Sequence, residues 1–298
     1  MRMLSRAAGL TRLTGLAACA SLLLAACSAG SAGGRRAVDV LYAGSLVNLM
    51  EHAAGPAFDR ATGYRFEGFA GGSVELANEI KARQQRADVF VSAAPAVNGT
   101  LMGSANGGWV GWYAAFASAP LVIGYNPSSR FAAALRTRPW YQVMTEPGFR
   151  LGRTDPKLDP KGLLTVQLVE RAAAYYRRPA LVREIIGSPE NPAQVFPEQD
   201  LLGRLESGQL DAAFFYSIEA VEGHVPFIAL PAPLRLSATY TVTLVRGGAD
   251  PAGAAAFVRY LLGPDGSALM RREGLDPIPV TVSGDRSAVP ASLRSLLG

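Results

Sequence analysis

The chain has 298 residues, of which 49% are hydrophobic and 18% charged, and its formal net charge is +5 at neutral pH. Three of its arginines lie in the first 26 residues, so the remainder of the chain carries a charge near +2. This length allows one large or two medium domains, and the lack of basic runs interleaved with aromatic residues argues against nucleic-acid binding.

The N-terminal segment has the pattern of an export signal. Arg2, Arg6 and Arg12 form a basic region, and residues 13–26 follow as an uncharged run. That run is shorter than the roughly 20 apolar residues that a membrane-spanning helix needs. The segment Leu24-Ala25-Ala26-Cys27 is similar to the lipobox of bacterial lipoproteins, in which the cysteine becomes the lipidated first residue. We therefore predict a lipoprotein signal peptide over residues 1–26 and a lipid on Cys27.

Two other interpretations of this segment remain open, an uncleaved apolar anchor and a plain secretory signal. A second match, ending at Cys19, leaves only a very short apolar run after Arg12. Residues 27–37 are mostly small and lack an apolar face, so they are predicted to form a flexible tether. Cys19 and Cys27 are the only cysteines, so cleavage before Cys27 excludes disulfides and thiol catalysis in the folded part.

Beyond the tether, apolar runs and helical periodicity alternate along the chain. In chain order they predict a strand at 38–43, a helix from Leu46 interrupted at Gly55-Pro56, a strand at 64–69, a helix at 74–83, and strands at 88–92 and 121–125. The remaining predicted elements are helices at 131–136, 163–176 and 201–206, strands at 211–216 and 240–245, and helices at 252–262 and 267–273. Alternation of this kind predicts an α/β fold with a mostly parallel sheet.

Two short segments, Ala43-Gly44-Ser45 and Gly71-Gly72-Ser73, have similar sequences, and each lies at a corner where a predicted strand is followed by a predicted helix. A helix start offers unpaired N–H groups and a positive dipole end, so two such starts facing one cavity would bind an oxyanion without a lysine. The alternative is that both serines only cap their helices. Neither corner has the length or the lysine of a phosphate-binding P-loop.

A catalytic function has little support in the sequence. His52 and His224 are the only histidines, and neither belongs to a recognisable catalytic or metal-binding motif. A serine hydrolase that uses one of the two corners stays open as an alternative, and a histidine within hydrogen-bond reach of Ser45 or Ser73 would support it.

Further motifs extend the pattern of the corners over residues 38 to about 279. They are Leu41-Tyr42-Ala43-Gly44-Ser45-Leu46, Gly72-Ser73-Val74-Glu75-Leu76-Ala77, residues 88–93, 109–125, 152–156 with 158–162, and Phe215-Tyr216-Ser217. In order and spacing they resemble the molybdate/tungstate-binding proteins of ABC importers, particularly the branch first typified in archaea. The resemblance implies a type II periplasmic-binding-protein-like fold of two α/β lobes, with the oxyanion held in the cleft between them.

The same resemblance implies boundaries and site residues. Lobe I is expected to comprise residues 38–120 and 235–298, and lobe II residues 121–234. The residues expected to bind the oxyanion are Ser45, Ser73, Asp159, Tyr216, Glu219 and Tyr240.

Asp159 is unusual in this set because a carboxylate in a desolvated cleft should repel a dianion. In the archaeal-type relatives, carboxylates instead ligate the metal and raise its coordination from four to six, which molybdenum and tungsten allow and sulfur does not. The resemblance therefore implies that Asp159 is a direct metal ligand. The archaeal-type glutamate before the tyrosine corresponds to Phe215 here, and Glu219 is the candidate substitute. A four-coordinate anion, and for Asp159 a helix cap ahead of Pro160, are the alternatives.

The expected partners are an ABC permease with its ATPase, the transported molybdate or tungstate anion, and the membrane through the lipid on Cys27. We expect an exported monomer, anchored at the extracellular face or in the periplasm, that has no resident cofactor and closes its lobes on the ligand. Binding of sulfate, phosphate or another small anion is the alternative within transport.

Overall fold

The computed structural model describes residues 35–297. The predicted signal peptide over 1–26, Cys27 and the tether up to residue 34 lie outside the described residues. The first strand begins at Ala37, one residue before the predicted start of the folded part. No helix in the part of the chain that the structure describes is long and apolar enough to cross a membrane.

The described residues contain nine strands. They are β1 (Ala37–Ala43), β2 (Arg65–Gly71), β3 (Val89–Ser92), β4 (Trp112–Tyr125), β5 (Leu151–Gly152), β6 (Ala212–Tyr216), β7 (Phe227–Ala229), β8 (Ser237–Leu244) and β9 (Asp276–Gly284).

The helices are mostly short. They are α1 (Gly55–Thr62), α2 (Ser73–Ala82), α3 (Pro95–Gly99), α4 (Ala132–Thr137), α5 (Trp140–Val143), α6 (Pro160–Tyr175), α7 (Leu201–Glu206), α8 (Ser217–Glu222), α9 (Pro251–Leu262), α10 (Pro264–Arg272) and α11 (Ala291–Leu297). Single 3₁₀ turns at Gly44–Leu46 and Glu198–Asp200 and π-helical segments at Asn48–Ala54 and Val182–Ile186 connect several of them.

The sheet order is β2-β1-β3-β8-β4-β6-β5, and β7 and β9 also pair with β4. Within the described residues, only the pairs β1–β2, β1–β3 and β5–β6 are parallel. The expectation of a mostly parallel sheet is therefore wrong. Alternating elements indicate that helices separate the strands, but they do not reveal that β8 returns from a distant part of the chain and inserts antiparallel between β3 and β4.

Strand β4 has 14 residues, nearly three times the length of the predicted strand at 121–125, and its two parts have different partners. From Trp112 to Pro120 it pairs with β8 and β9. From Leu121 to Tyr125 it pairs with β6 and β7. The partners change where the sequence analysis puts the boundary between lobes I and II, although the boundaries themselves stay a prediction.

The predicted interruption at Gly55-Pro56 is a change of helix type. The π-helical segment Asn48–Ala54 leads directly into α1, which begins at Gly55 with Pro56 in its first turn. Proline is tolerated there because its missing N–H would have no partner in the first turn.

The core lies on both faces of the sheet. One large apolar cluster runs along the whole sheet, with Tyr42, Phe116 and Phe257 among its fully buried members. Two smaller clusters pack α2 against β1 and β3, and α7 against β6. Fixing these helices against the strands positions the segments at the strand ends, where the polar residues of the site lie.

Candidate functional site

The Ser45 corner (residues 43–45) and the Ser73 corner (residues 71–73) leave the same edge of the sheet. Strands β1 and β2 are parallel, and their last residues, Ala43 and Gly71, are register partners. The chain then enters the 3₁₀ turn Gly44–Leu46 after β1, and α2 after β2. The prediction that both corners follow strands is confirmed, and their adjacency follows from the parallel pairing.

At the Ser45 corner the serine is buried and its Oγ lies 2.9 Å from the hydroxyl of Tyr240. Ser45 is the second residue of the turn Gly44–Leu46, whose N-cap is Ala43, so it does not stand at the capping position. The capping alternative therefore fails for Ser45, and the hydrogen bond brings in Tyr240 from β8, a residue that the resemblance had assigned to the same site.

The Ser73 corner is closed by main chain. The amides of Val74 and Glu75 donate to the carbonyl oxygen of Leu158 at 3.0 and 3.1 Å. The Ser73 hydroxyl does not cap α2 but accepts a hydrogen bond from the amide of Ala93 at 3.0 Å. The expectation of unbonded amides at this helix start is wrong, because the first-turn donors find a carbonyl of the segment that precedes Asp159.

Asp159 is the N-cap of α6, as the capping alternative predicts. Its Oδ1 accepts from the amides of Lys161 and Gly162 at 2.8 and 3.3 Å and from Thr154 Oγ1 at 2.8 Å. Its Oδ2 is buried and has no hydrogen-bond partner among the described residues. One oxygen thus starts the helix, while the other stays available to a ligand.

A lysine that the sequence analysis did not select lies two residues further on. Lys161 is fully buried, and its Nζ lies 2.6 Å from Glu219 Oε1 and 3.1 Å from Glu198 Oε1. The other oxygen of Glu219 accepts from the amide of Tyr216 at 2.8 Å. The lysine-free anion site stays a prediction, but this buried ammonium lies beside predicted site residues and can balance part of the charge of an anion bound there.

The two predicted tyrosines meet beside this lysine. The rings of Tyr216 and Tyr240 are 6.1 Å apart in an edge-to-face arrangement, and Lys161 Nζ lies 5.6 Å from the ring centre of Tyr216. Both tyrosines are fully buried, and the Tyr216 hydroxyl has no hydrogen-bond partner among the described residues. We call Ser45, Asp159, Lys161, Glu198, Tyr216, Glu219 and Tyr240 the buried cluster.

Burial and neighbouring charges set the protonation of the buried cluster. Burial raises the pKa values of Tyr216 and Tyr240, so both stay neutral hydroxyl donors. Burial and the charge of Asp159 raise the pKa of Glu198 well above its usual range, and burial also raises that of Glu219. Burial opposes the charge on Lys161, but Glu198 and Glu219 outweigh it and raise the pKa of the ammonium. Lys161 therefore stays charged.

Two cavities adjoin the buried cluster. One of about 230 Å³ is lined by Gly44, Ser45, Glu219 and Glu222, among others. The other, of about 260 Å³, is lined by Gly72, Thr154 and Asp159, among others. Glu198 and Gln199 line both, so the cavities meet at this segment.

Lys161 and Glu198 were not among the site residues predicted from the sequence. Lys161 had a faint signal, because lysine occurs only three times in a chain that otherwise uses arginine. Glu198 had none, since it lies in a connection without a motif. The hydrolase alternative finds no support: His52 and His224 line a different cavity, and no hydrogen bond in the described part of the chain joins either histidine to Ser45 or Ser73.

Comparison with known proteins gives the family. The model of the family described as bacterial extracellular solute-binding protein matches residues 38–276. The chain belongs to the bacterial extracellular solute-binding proteins.

Relatives of this solute-binding protein indicate its class further. A Haloferax volcanii protein, provisionally named as an ABC transporter molybdenum-binding protein, is 34% identical over 88% of this chain and 77% of its own length. The molybdate/tungstate-binding protein of Thermococcus kodakarensis is 24% identical and covers 78% of each chain.

A solved structure gives the fold. The periplasmic molybdate-binding protein of Azotobacter vinelandii superposes with a TM-score of 0.60 at 18% identity, covering 81% of this chain and 99% of its own. The predicted two-lobe, type II periplasmic-binding-protein-like α/β fold is thereby confirmed. The family and its structural neighbours are binding proteins, so the prediction of a binding protein rather than an enzyme is confirmed as well.

Proposed function

We propose that this solute-binding protein captures molybdate or tungstate at the buried cluster and delivers it to the permease of an ABC importer. The observation that carries the proposal is a set of buried polar atoms that have no hydrogen-bond partner within residues 35–297, namely Asp159 Oδ2, Glu198 Oε2 and the Tyr216 hydroxyl. Buried polar atoms are normally hydrogen-bonded, so a group of unpaired ones beside a buried ammonium points to a polar ligand. The names of the two relatives support a metal oxyanion.

The charge balance of the cluster favours a ligand that can coordinate carboxylate. Asp159, Glu198 and Glu219 face a single ammonium, that of Lys161. A fully deprotonated sulfate would add two charges without offering a hydrogen or a metal to the carboxyl oxygens. We assign direct ligation of molybdenum or tungsten to Asp159 Oδ2. Glu219 takes a supporting position, because Lys161 and the Tyr216 amide already hold its oxygens.

The hydroxyl groups supply the remaining contacts in this proposal. Ser45, Tyr216 and Tyr240 are neutral donors of the buried cluster, and their hydroxyls can turn toward the oxygens of the anion. The Ser73 hydroxyl accepts from Ala93, which leaves its own hydrogen free to donate. The proposed set therefore combines one metal ligand, one ammonium and several hydroxyl donors.

Isothermal titration calorimetry on the purified protein tests the ligand. Molybdate and tungstate should each bind in the micromolar range or more tightly, and an excess of sulfate should not displace them. If neither metal oxyanion binds, the proposal is wrong. If sulfate displaces them at similar concentration, the protein is instead a binding protein for another small anion.

Delivery to the permease requires that the lobes respond to the ligand. The Leu158 carbonyl oxygen, in the proposed lobe II, accepts hydrogen bonds from the first turn of α2 in the proposed lobe I. These hydrogen bonds are a contact that would form when the lobes close. We propose that ligand binding stabilises this closed arrangement in a monomer and that the permease recognises it. Small-angle scattering should show a smaller radius of gyration with molybdate, and identical dimensions with and without it would contradict closure.

Attachment to the membrane is a separate part of the proposal. We assign the lipid to Cys27, which places the protein at the extracellular face or in the periplasm. Mass spectrometry of the N-terminal peptide from the native host should find Cys27 as a lipid-modified first residue. A peptide that continues through an unmodified Cys27 would instead support the anchor or secretory alternatives.

A further inference from the structure

Glu198 enters the buried cluster from the connection between the π-helical segment Val182–Ile186 and α7. It begins the 3₁₀ turn Glu198–Asp200, directly after Pro197, and only 1% of its side chain is exposed. A Cβ atom added to Gly44 would lie 2.8 Å from Glu198 Oε2. The absence of a side chain at Gly44 therefore lets this carboxyl pack against the backbone of the Ser45 corner.

Few protein groups hold the Glu198 carboxyl in this position. Its contact with Lys161 Nζ is 3.1 Å long, and its Oε2 has no hydrogen-bond partner among the described residues. Glu219, on the same lysine, has a contact of 2.6 Å and a second hydrogen bond from the Tyr216 amide. Of the two glutamates, Glu198 is therefore the one that can leave.

The surroundings of the Glu198 carboxyl are those that an anion would seek. A carboxylate is itself a small oxyanion, and this one lies beside a buried ammonium and against a Gly-Ser corner. An anion that brings its own ligand contacts, above all to Asp159, has an advantage over this side chain.

We propose that Glu198 is an internal competitor of the transported oxyanion, occupying the anion position at Gly44, Ser45 and Lys161 until the ligand displaces it. This inference rests on the proposed function, because it needs an oxyanion that binds at the buried cluster. The cavity of about 260 Å³ beyond Glu198, which Gln199 and Asp159 also line, gives the displaced side chain a place to go. Glu198 thus lowers the affinity for the anion from inside the closed site.

Two substitutions separate this idea from a general charge effect. Glu198→Gln keeps the shape of the side chain and removes the charge. Glu198→Asp keeps the charge but shortens the reach toward Gly44 and Lys161. Glu190→Gln is the matched control, because Glu190 lies in the same connection, pairs with Lys157 at 2.6 Å and is half-exposed.

The experiment is calorimetric titration of the purified protein and the three variants with sodium molybdate, with a urea unfolding curve for each. Glu198→Gln and Glu198→Asp should both bind molybdate more tightly than the unmodified protein, by about tenfold, while Glu190→Gln should not change affinity. Unchanged or weaker binding by both folded Glu198 variants overturns the proposal. Tighter binding by Glu198→Gln alone also overturns the proposal, because the loss of a negative charge near the anion would then explain the change in affinity.

The outcomes also separate this inference from the proposed function. If the unmodified protein binds molybdate but the variants do not bind it more tightly, only the competitor role of Glu198 is wrong. If neither molybdate nor tungstate binds the unmodified protein, the two proposals fall together.

Discussion

The Ser45 corner and the Ser73 corner follow adjacent parallel strands with nearly the same residues, yet their surroundings differ. The Ser45 corner faces side chains, the hydroxyl of Tyr240 and the carboxyl of Glu198. The Ser73 corner faces main chain, because the Leu158 carbonyl accepts from the first turn of α2. The same short sequence therefore has two roles. At the Ser45 corner a ligand can displace the neighbouring side chains, whereas at the Ser73 corner the backbone contact fixes the segment that carries Asp159.

The largest expected effect concerns Lys161, the side chain that connects the two corners. Its segment follows Leu158 at the Ser73 corner, and its ammonium reaches Glu198 at the Ser45 corner. Lys161→Met would leave two buried carboxyls without their cation, so we expect a loss of about 3–5 kcal/mol in the free energy of unfolding. Urea denaturation measures it.

Lys157→Met provides the control for this change. Lys157 is an exposed lysine of the same segment, paired with Glu190. It should alter stability little, because exposed ion pairs contribute little. Equal stability of the two variants would show that the buried ammonium does not hold the corners together.

The second prediction compares the glycines of the two corners. A Cβ at Gly72 would lie 2.6 Å from the backbone oxygen of Leu158, whereas one at Gly44 would lie 2.8 Å from Oε2 and 3.1 and 3.2 Å from Cγ and Cβ of the Glu198 side chain. Gly72→Ala should therefore lower the free energy of unfolding by about 1–3 kcal/mol, because backbone must shift. Gly44→Ala should change it by less than about 1 kcal/mol, since a side chain can rotate away. If the two variants unfold at the same urea concentration, the proposed difference between a backbone contact at Gly72 and a side-chain contact at Gly44 is wrong.

The third prediction concerns ligand affinity at the two serines. Ser45 lines the cavity of about 230 Å³, whereas Ser73 lines neither of the two cavities beside the buried cluster. Ser45→Ala should weaken molybdate binding by about 1–3 kcal/mol, through the loss of a donor in a dry site. Ser73→Ala should weaken it by no more than about 1 kcal/mol. If calorimetry finds the same loss of molybdate affinity for both variants, the two serines contribute equally to binding and the proposed difference is wrong.

The smallest effect is a pH dependence at the Ser45 corner. Burial, with the charges of Glu219 and Glu273, raises the pKa of Glu222 to about 8. The folded protein keeps a proton there that the unfolded chain releases near the ordinary pKa of glutamate, so stability should fall as pH rises from about 5 to about 8. Because the side chain is partly exposed, we expect about 1–2 kcal/mol.

Urea unfolding at about pH 5 and about pH 8.5 measures this change. Glu222→Gln should reduce the loss of stability between the two pH values, while Glu170→Gln, at an exposed position on α6, should not. A Glu222→Gln variant with the same pH profile as the unmodified protein would contradict the assignment.

The sequence predicted the parts of the site that depend on local chain geometry. Both Gly-Ser corners follow from a strand that ends in small residues, and Asp159 ahead of Pro160 has the pattern of a helix cap. Tyr216 at the end of β6 followed from the resemblance and lies in the buried cluster. Each of these features depends on residues within a few positions of one another.

The contacts that the sequence does not reveal join distant parts of the chain, even where the residues themselves were predicted. The Lys161–Glu219 pair joins residues 58 positions apart, and the Ser45–Tyr240 bond joins residues 195 apart. The antiparallel position of β8 is of the same kind, because the order of strands is decided by packing rather than by local pattern. Glu198 lies in a connection whose sequence gives no reason for a buried carboxyl.

Anomalous X-ray scattering from a crystal grown with tungstate tests the central claim most directly, because the heavy metal marks its own position. We predict a single strong peak at the buried cluster, within coordination distance of Asp159 Oδ2, with the Ser45 and Tyr216 hydroxyls turned toward its oxygens and the Glu198 carboxyl moved away from Gly44. A peak elsewhere on the molecule, with Glu198 still packed on Gly44 and the cluster unchanged, would contradict the account.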